Sequence, residues 1–315
     1  MENNIIHKES NVIAKPIKLS NLLDWARWTA YDDFSLYSNK NRKVSFYRLW
    51  RSIIPVIRRP IFLIGAERSG TTFLGKCLSL LPEISYHYEP IATKASARYV
   101  YKRLWTFRKA RFFYRLVYRW LMRIHLDGDL RFVEKTPRNC FLVHFLHQAF
   151  PDAQFIHIVR DGRDAALSLS KKTWLHASSA KSNKRLDDGY LEGPFARFWV
   201  EDQRKEEFET TSDIHRCIWS WRRHTESALE HALTLSPLQY HEVRYENLVH
   251  NPLAEADRLL NYLEIKTLVS RKIFHEAIAR AHRHSIGGWK RELSLDQLSQ
   301  INVEAGALLQ KLEYL

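Results

Sequence analysis

From residue 61 onward, short apolar runs alternate with longer stretches whose apolar residues recur at helical spacing. Residues 61–64 (Ile-Phe-Leu-Ile) read as a short buried strand, 71–81 as a helix stopped by Pro82, and 84–88 as a second strand. A third strand is expected at 131–134, running into Lys135-Thr136-Pro137, followed by a helix over 139–150 that Pro151 ends. Residues 154–159 are mostly apolar, as a central parallel strand covered on both faces is. Asp164 is placed to cap a helix running to Lys172. Residues 214–235 are spaced as a long amphipathic helix, 240–245 as a fifth strand, and helical segments complete the chain. Residues 1–59 read as a polar start followed by helix-prone segments rich in Trp and Tyr, a helical extension to a domain spanning 60–315. Strands alternating with helices predict an α/β fold, a three-layer α/β/α arrangement on a central parallel sheet of about five strands with right-handed crossovers.

Two insertions interrupt the alternation, at about 91–128 and 173–213. The first carries eight aromatic residues between Tyr101 and Trp120, interleaved with basic ones. Arg111, Arg115, Arg119 and Arg123 recur every four positions as one charged stripe, and Phe112, Leu116, Trp120 and Ile124 follow one residue on as an apolar stripe. An amphipathic helix pair covering a cleft is the expected form; basic residues with aromatics also suit an anionic membrane surface or stacking on nucleic acid, but no nucleic-acid motif accompanies them. The second insertion is polar and reads as a mobile lid or acceptor loop.

Composition narrows the class. A 315-residue chain with 45% hydrophobic residues and ten tryptophans is globular rather than disordered. Three widely spaced cysteines (Cys77, Cys140, Cys217) form neither a disulfide framework nor a zinc pattern, and read as buried small hydrophobes in a reducing compartment. Met1-Glu2-Asn3-Asn4 lacks the basic then apolar regions of a secretory signal, and no run approaches ~18 apolar residues. The expectation is a cytoplasmic protein. The net charge of +14, with ten Lys or Arg and no acidic residue over 91–126, suits an anionic partner without choosing among nucleotide, nucleic acid, membrane and acidic glycan.

Chemistry enters at Gly65-Ala66-Glu67-Arg68-Ser69-Gly70-Thr71-Thr72, between the first strand and the first helix. A glycine-bracketed turn there aims backbone N–H groups and the positive helix end at an anion. The spacing approaches the ATP-binding loop G-x-x-x-x-G-K-[ST], giving a P-loop nucleotide-binding-like fold, yet Thr71 stands where that loop has lysine.

With Arg68 in that turn, Arg68-Ser69-Gly70-Thr71-Thr72 resembles the 5′-phosphosulfate loop of sulfotransferases that use 3′-phosphoadenosine 5′-phosphosulfate (PAPS), the carbohydrate and protein-tyrosine branch in particular. Phe155 to Ser168 resembles the same family's 3′-phosphate element, with Arg160 ending a strand and Ser168 eight residues later. Val243-Arg244-Tyr245-Glu246-Asn247-Leu248 resembles its late R-Y-E-x-L element, and Arg283-His284-Ser285-Ile286-Gly287-Gly288-Trp289-Lys290 its nucleotide-closing loop, although Gly288 stands where relatives often carry a basic residue. The resemblance implies PAPS as co-substrate, bound by Arg68, Ser69, Gly70, Thr71, Thr72, Arg160, Ser168 and Tyr245. Tyr245 reads equally as ordinary strand packing.

Sulfuryl transfer needs charge neutralisation at the bridging oxygen and a base for the acceptor hydroxyl. Glu89, following the 84–88 strand, is the candidate base, because carboxyl ends of neighbouring parallel strands share one crevice. His87 is the rival, its ordinary pKa being better matched to neutral pH; strand alternation places it on the same face as Glu89. Lys135, at the end of the third strand, is a candidate to stabilise developing charge, or a solvated strand-end lysine. Asp161 and Asp164 are expected to pair with Arg163 and hold the turn. No metal cluster is evident, and an already activated donor demands none. The expected function is therefore a PAPS-dependent sulfotransferase acting on a hydroxyl-bearing acceptor, carbohydrate, lipid-linked or small-molecule, with a P-loop-type kinase and a non-enzymatic polyanion-binding protein as alternatives. Peripheral membrane contact through 91–128 is open, and no nucleic-acid partner is expected.

Overall fold

The computed structural model describes residues 14–37, 45–186, 188–281 and 285–315, with residues 29–37 described by backbone alone. The polar start at 1–13, and Arg283 and His284 of the late loop, lie outside the described residues. In chain order the elements are α1 (Leu19–Tyr37), α2 (Phe46–Ile53), β1 (Ile61–Ile64), α3 (Thr71–Ser79), β2 (Ile84–Tyr88), α4 (Ile91–Tyr101), α5 (Phe107–Ile124) and β3 (Arg131–Lys135). They continue with α6 (Val143–Ala149), β4 (Gln154–Val159), α7 (Gly162–Leu169), α8 (Lys205–Thr210), α9 (Asp213–Ala232), β5 (Tyr240–Arg244) and α10 (Tyr245–His250). Last come α11 (Pro252–Tyr262), α12 (Leu268–Ile278), α13 (Trp289–Glu292) and α14 (Leu295–Lys311).

The five strands form one parallel sheet in the order β2-β3-β1-β4-β5. Because strand side chains alternate, β1 sends Phe62 and Ile64 into one apolar layer and Ile61 and Leu63 into the other. The first layer is closed by α1, α4, α5, α6, α9 and α14, the second by α3, α11 and α12. This is the expected three-layer architecture, and the strands fall within a residue of their predicted bounds.

Helix ends differ more. Residues 137–141 form a 3-10 turn before α6, where one continuous helix was expected. Helix α7 starts at Gly162 with Asp161, not Asp164, as its cap, the Asp161 carboxylate accepting from the Arg163 amide. The helix ends at Leu169, so Lys172 lies beyond it. Cys77, Cys140 and Cys217 are buried free thiols.

The first insertion is the expected helix pair, but rotated. The buried face of α5 carries Ala110, Phe113, Tyr114, Val117, Tyr118 and Leu121, whereas Phe112 of the anticipated apolar stripe is 71% exposed. Both faces of α5 are rich in aromatics, so periodicity alone could not tell which one meets the core. The choice is anchored by polar contacts: the buried Glu134 carboxylate accepts from Thr93 of α4 (3.0 Å), Thr136 (2.9 Å), Asn139 (3.2 Å) and Tyr118 of α5. The second insertion is not a solvated loop throughout: Phe198, Trp199, Val200 and Phe208 lie in the core, and Arg197 is buried with its guanidinium donating to the carbonyls of Leu191 and Trp174.

Glu134→Ala would strand these donors in a dry interior. We expect a loss of roughly 3 kcal/mol or more in urea unfolding, and a loss near zero would show that the network does not hold the insertion.

Candidate active site

The carboxyl ends of the strands assemble the candidate residues, as the crevice rule for open parallel sheets requires. The 65–70 loop follows β1, Glu89 follows β2, Lys135 ends β3, Arg160 follows β4 and Tyr245 follows β5. Since β1 lies between β3 and β4, its loop is flanked by Lys135 on one side and Arg160 on the other.

The loop after β1 is held in an unusual backbone path. Arg68 (φ 66°) and Gly70 (φ 97°) are both left-handed, and a Cβ at Gly70 would stand 2.5 Å from the Tyr245 ring. Gly70 caps α3 without a side-chain hydrogen bond, so the first-turn amides of the helix are aimed outward with no intrahelical acceptor. The Ser69 hydroxyl beside them is buried with no partner among the described residues.

Arg160 joins this loop directly. Its guanidinium donates to the Arg68 carbonyl (2.9 Å) and to the Ser285 carbonyl, and lies over the Tyr245 ring at 4.8 Å. Its Nε is buried without a partner among the described residues. The Arg68 side chain in turn donates to the Ser168 hydroxyl at 3.0 Å. The two elements that resemble the 5′ and 3′ motifs therefore form one continuous surface. Unpartnered Ser69 Oγ and Arg160 Nε, with the free amides of α3, are the donor set an anionic nucleotide needs.

Neighbouring residues brace that surface. Glu246 accepts from the Asp161 amide (2.9 Å), Trp221 Nε1 donates to the Arg160 carbonyl (3.1 Å), and Tyr245 hydrogen-bonds Ser285 at 2.8 Å. Arg163 is structural, paired with Asp161 (2.8 Å) and stacked over Trp289 at 3.8 Å. Asp164 takes no part in that pair. It accepts from the amides of Gly287 (2.7 Å) and Trp289 (3.1 Å), tying down the late loop.

On the β3 side, a cavity of about 390 Å³ is lined by Arg68, Thr71, Thr72, Tyr88, Glu89, Lys94 and Lys135, among others, and edged by Lys184, Arg185 and Glu192 of the second insertion. Glu89 has φ 41° and donates its amide to the Lys135 carbonyl at 2.9 Å. Its carboxylate pairs with Lys94 (2.8 Å) and Lys135. Burial alone would raise the Glu89 pKa, but the two lysines overcome it and hold the carboxyl at about 2. Burial prevails at Lys135, whose pKa is lowered, while pairing prevails at Lys94, whose pKa is raised.

His87 does not join the site. The left-handed turn at Glu89 breaks the strand alternation that would have put the two on one face. The imidazole is fully buried, stacked on Phe132 at 4.8 Å and hydrogen-bonded to Ser85 (2.9 Å); burial pushes its pKa down to about 4. The ring does not line the cavity, which corrects the expectation of His87 as a rival base.

Several contributors escaped the sequence reading. Lys94 is one turn into α4, and its only signal was its nearness to Glu89 across Pro90. Glu67 lines the cavity, its pKa raised by burial against the lowering effect of Arg138. Arg138 pairs with buried Asp188, a residue of the supposed loop. Away from the site, Glu207, His215 and Glu304 also come together, but Arg204 and Arg222 occupy their carboxylates.

The fold is a parallel α/β sheet whose strand ends join two loop elements rich in free donors. The description "Sulfotransferase family" matches residues 60–268, well over half of the sequence, and the chain belongs to that family. It is 26% identical over 262 residues to an uncharacterized protein of Aquifex aeolicus (strain VF5), covering 74% of this chain and 31% of that protein. It is 24% identical over 153 residues to omega-hydroxy-beta-dihydromenaquinone-9 sulfotransferase Stf3 of Mycobacterium tuberculosis (strain CDC 1551 / Oshkosh), covering 47% of this chain and 32% of that one. The chain thus spans about a third of the length of the curated relatives it matches. In fold it is similar to sulfotransferase STF9 from Mycobacterium avium (TM-score 0.52, 14% identity, 95% of this chain and 86% of that one). No helix among the described residues is long and apolar enough to cross a membrane.

The ion-paired state of Glu89 has a pH signature. A carboxyl held below its ordinary 4.5 stabilises the fold fully above that value and loses the contribution as pH falls toward about 2. Across that interval the stability advantage of the unaltered chain over Glu89→Gln should shrink by on the order of 3 kcal/mol in urea titrations. A gap that stays constant would contradict the pairing.

Proposed function

We propose that this chain transfers a sulfuryl group from PAPS to a hydroxyl of a carbohydrate or lipid-linked acceptor, with Glu89 as general base. The single observation that carries the proposal is the 2.9 Å bond from Arg160 to the Arg68 carbonyl, which makes one site of the two anion-binding elements. Arg68, Ser69, Gly70, Thr71 and Thr72 would hold the 5′ end of the nucleotide, Arg160 and Ser168 the 3′-phosphate, and Tyr245 the loop between them. Bound there, the donor supplies an activated sulfuryl group whose leaving group is a nucleotide bisphosphate.

The residues of this chain perform the rest. Glu89 faces the cavity with its carboxylate ionised, ready to accept the proton of an acceptor hydroxyl. A carboxylate at about 2 is a weak base, however, and two lysines keep it so. Lys135 is the more mobile in charge: its pKa is already lowered, and it touches Tyr88 (4.2 Å from the ring) as well as Glu89. When Lys135 turns toward an incoming anion, Glu89 loses one cationic neighbour and its proton affinity rises. Lys135 would then be placed to meet negative charge at the donor's bridging oxygen, and Glu89, relieved of one cation, to take the proton of the acceptor hydroxyl. Lys94, Glu67 and Arg138 give the cavity a polar lining suited to a hydroxylated acceptor, in keeping with a relative named for a hydroxylated quinone.

Isothermal titration should show adenosine 3′,5′-bisphosphate binding in preference to ATP; the reverse order would favour a kinase. Arg160→Ala should weaken 3′-phosphorylated nucleotides about ten- to a hundredfold and barely change those lacking the 3′-phosphate. In Glu89→Gln, turnover should be lost while bisphosphate binding persists. Undiminished turnover in that variant would remove Glu89 from the mechanism.

A further inference from the structure

Helix α2 is mounted on the protein the wrong way round for a soluble helix. Its polar side chains make the attachment: Arg48 donates to Asp127 (2.9 Å) and to the Leu126 carbonyl (3.2 Å), and Ser52 accepts from the Gly128 amide (3.3 Å). Its apolar side chains face outward. Phe46 is 85% and Trp50 60% exposed, with Tyr47, Leu49 and Ile53 also exposed, and Ile54, just past the helix end, is 71% exposed. An amphipathic helix normally buries that side, and a contiguous exposed apolar patch marks an interaction surface.

The patch continues onto α5. Ile53, Ile54 and Pro55 share a shallow groove of about 240 Å³ with Leu116, Trp120, Arg119 and Arg123. No carboxylate among the described residues pairs with Arg119 or Arg123, and both are exposed. Arg111 of the same stripe is exposed as well. An apolar centre flanked by unneutralised arginines matches the boundary between anionic headgroups and acyl chains. A second copy of the chain fits less well, because a two-fold contact through this face sets the arginine stripe against itself.

We infer that α2 and the adjoining side of α5 form a docking surface for an anionic phospholipid bilayer. The inference stands apart from the proposed reaction, since no residue of the surface belongs to the site described above. The test is flotation of the full chain with vesicles of phosphatidylglycerol and phosphatidylcholine in equal parts, against vesicles of phosphatidylcholine alone. Binding to the anionic vesicles should exceed binding to the neutral ones and weaken at high salt. Arg119→Gln with Arg123→Gln should reduce it by about tenfold or more, and Trp50→Ser with Ile54→Ser should reduce it on both vesicle types. All four positions are at the surface, so both double variants should melt at the temperature of the unaltered chain. Absence of binding to anionic vesicles, or binding that neither double variant weakens, would overturn the inference. So would sedimentation showing a dimer that Trp50→Ser with Ile54→Ser dissociates, because a second copy would then be what covers the face.

Discussion

The guanidinium of Arg160 resting on the carbonyl of Arg68 is the contact on which the arrangement turns. It exists because β1 and β4 are paired parallel neighbours, aligned so that Ile64 lies opposite His157. Parallel pairing sends both chains out of the sheet at the same edge, one into the loop that carries Arg68 and the other into Arg160. A buried guanidinium demands acceptors, and here the backbone of the neighbouring loop provides one. The loop is therefore not an independent turn that happens to lie nearby. Its left-handed residues, the Tyr245 ring filling the space beside Gly70 and the Glu246 bond to Asp161 all keep the Arg68 carbonyl where Arg160 can reach it.

A second consequence concerns charge in the dry interior. Glu89, Lys94, Lys135, Arg138 and Asp188 all lie close to the site, and removing one partner from a buried pair costs more than forming the pair gains. The framework strands supply only part of the set. Lys94 comes from the first insertion and Asp188 from the second, so segments that look like decoration on the α/β plan complete its electrostatics. This explains why the second insertion is anchored by Phe198, Trp199 and Phe208 rather than left in solvent. A carboxylate that compensates a buried arginine cannot sit on a loop free to drift.

The sheet was legible because its strands are short, apolar at β1 and β4 and set off by proline or glycine, and with it the placement of Glu89, Lys135, Arg160 and Tyr245 at or just past strand ends and of Arg68 in the loop after β1. The misreadings share a cause: local pattern does not encode what another part of the chain presents. Periodicity identified α5 as a helix but chose the wrong face, because the decision lies with Glu134 and its ring of donors. Alternation put His87 beside Glu89, because a left-handed residue at the strand end has no reliable mark when it is not glycine or asparagine. Asp164 was read as a helix cap because its true partners, the amides of residues 287 and 289, lie more than a hundred positions away. Lys94 was invisible for the same reason that Glu89 was visible. One stands at a strand tip, the other merely on a helix with many lysines and arginines nearby.

The basic excess also divides in an instructive way. Arginines near the site are largely spoken for: Arg138 by Asp188, Arg160 by two carbonyls and Arg197 by two more. Such groups contribute directed donors more than long-range field, because their charge is offset or shielded close at hand. Arg119 and Arg123 on α5, exposed and without a paired carboxylate among the described residues, do the opposite. Their field extends about a Debye length into solvent, ~8 Å at physiological salt. The surplus recorded in the net charge of +14 is therefore expressed in part on a face distinct from the strand-end site. Composition alone does not choose among nucleotide, nucleic acid, membrane and acidic glycan. The arginines therefore fall into two physical settings, one of buried guanidinia that act as directed donors and one of exposed guanidinia that form an open stripe of charge.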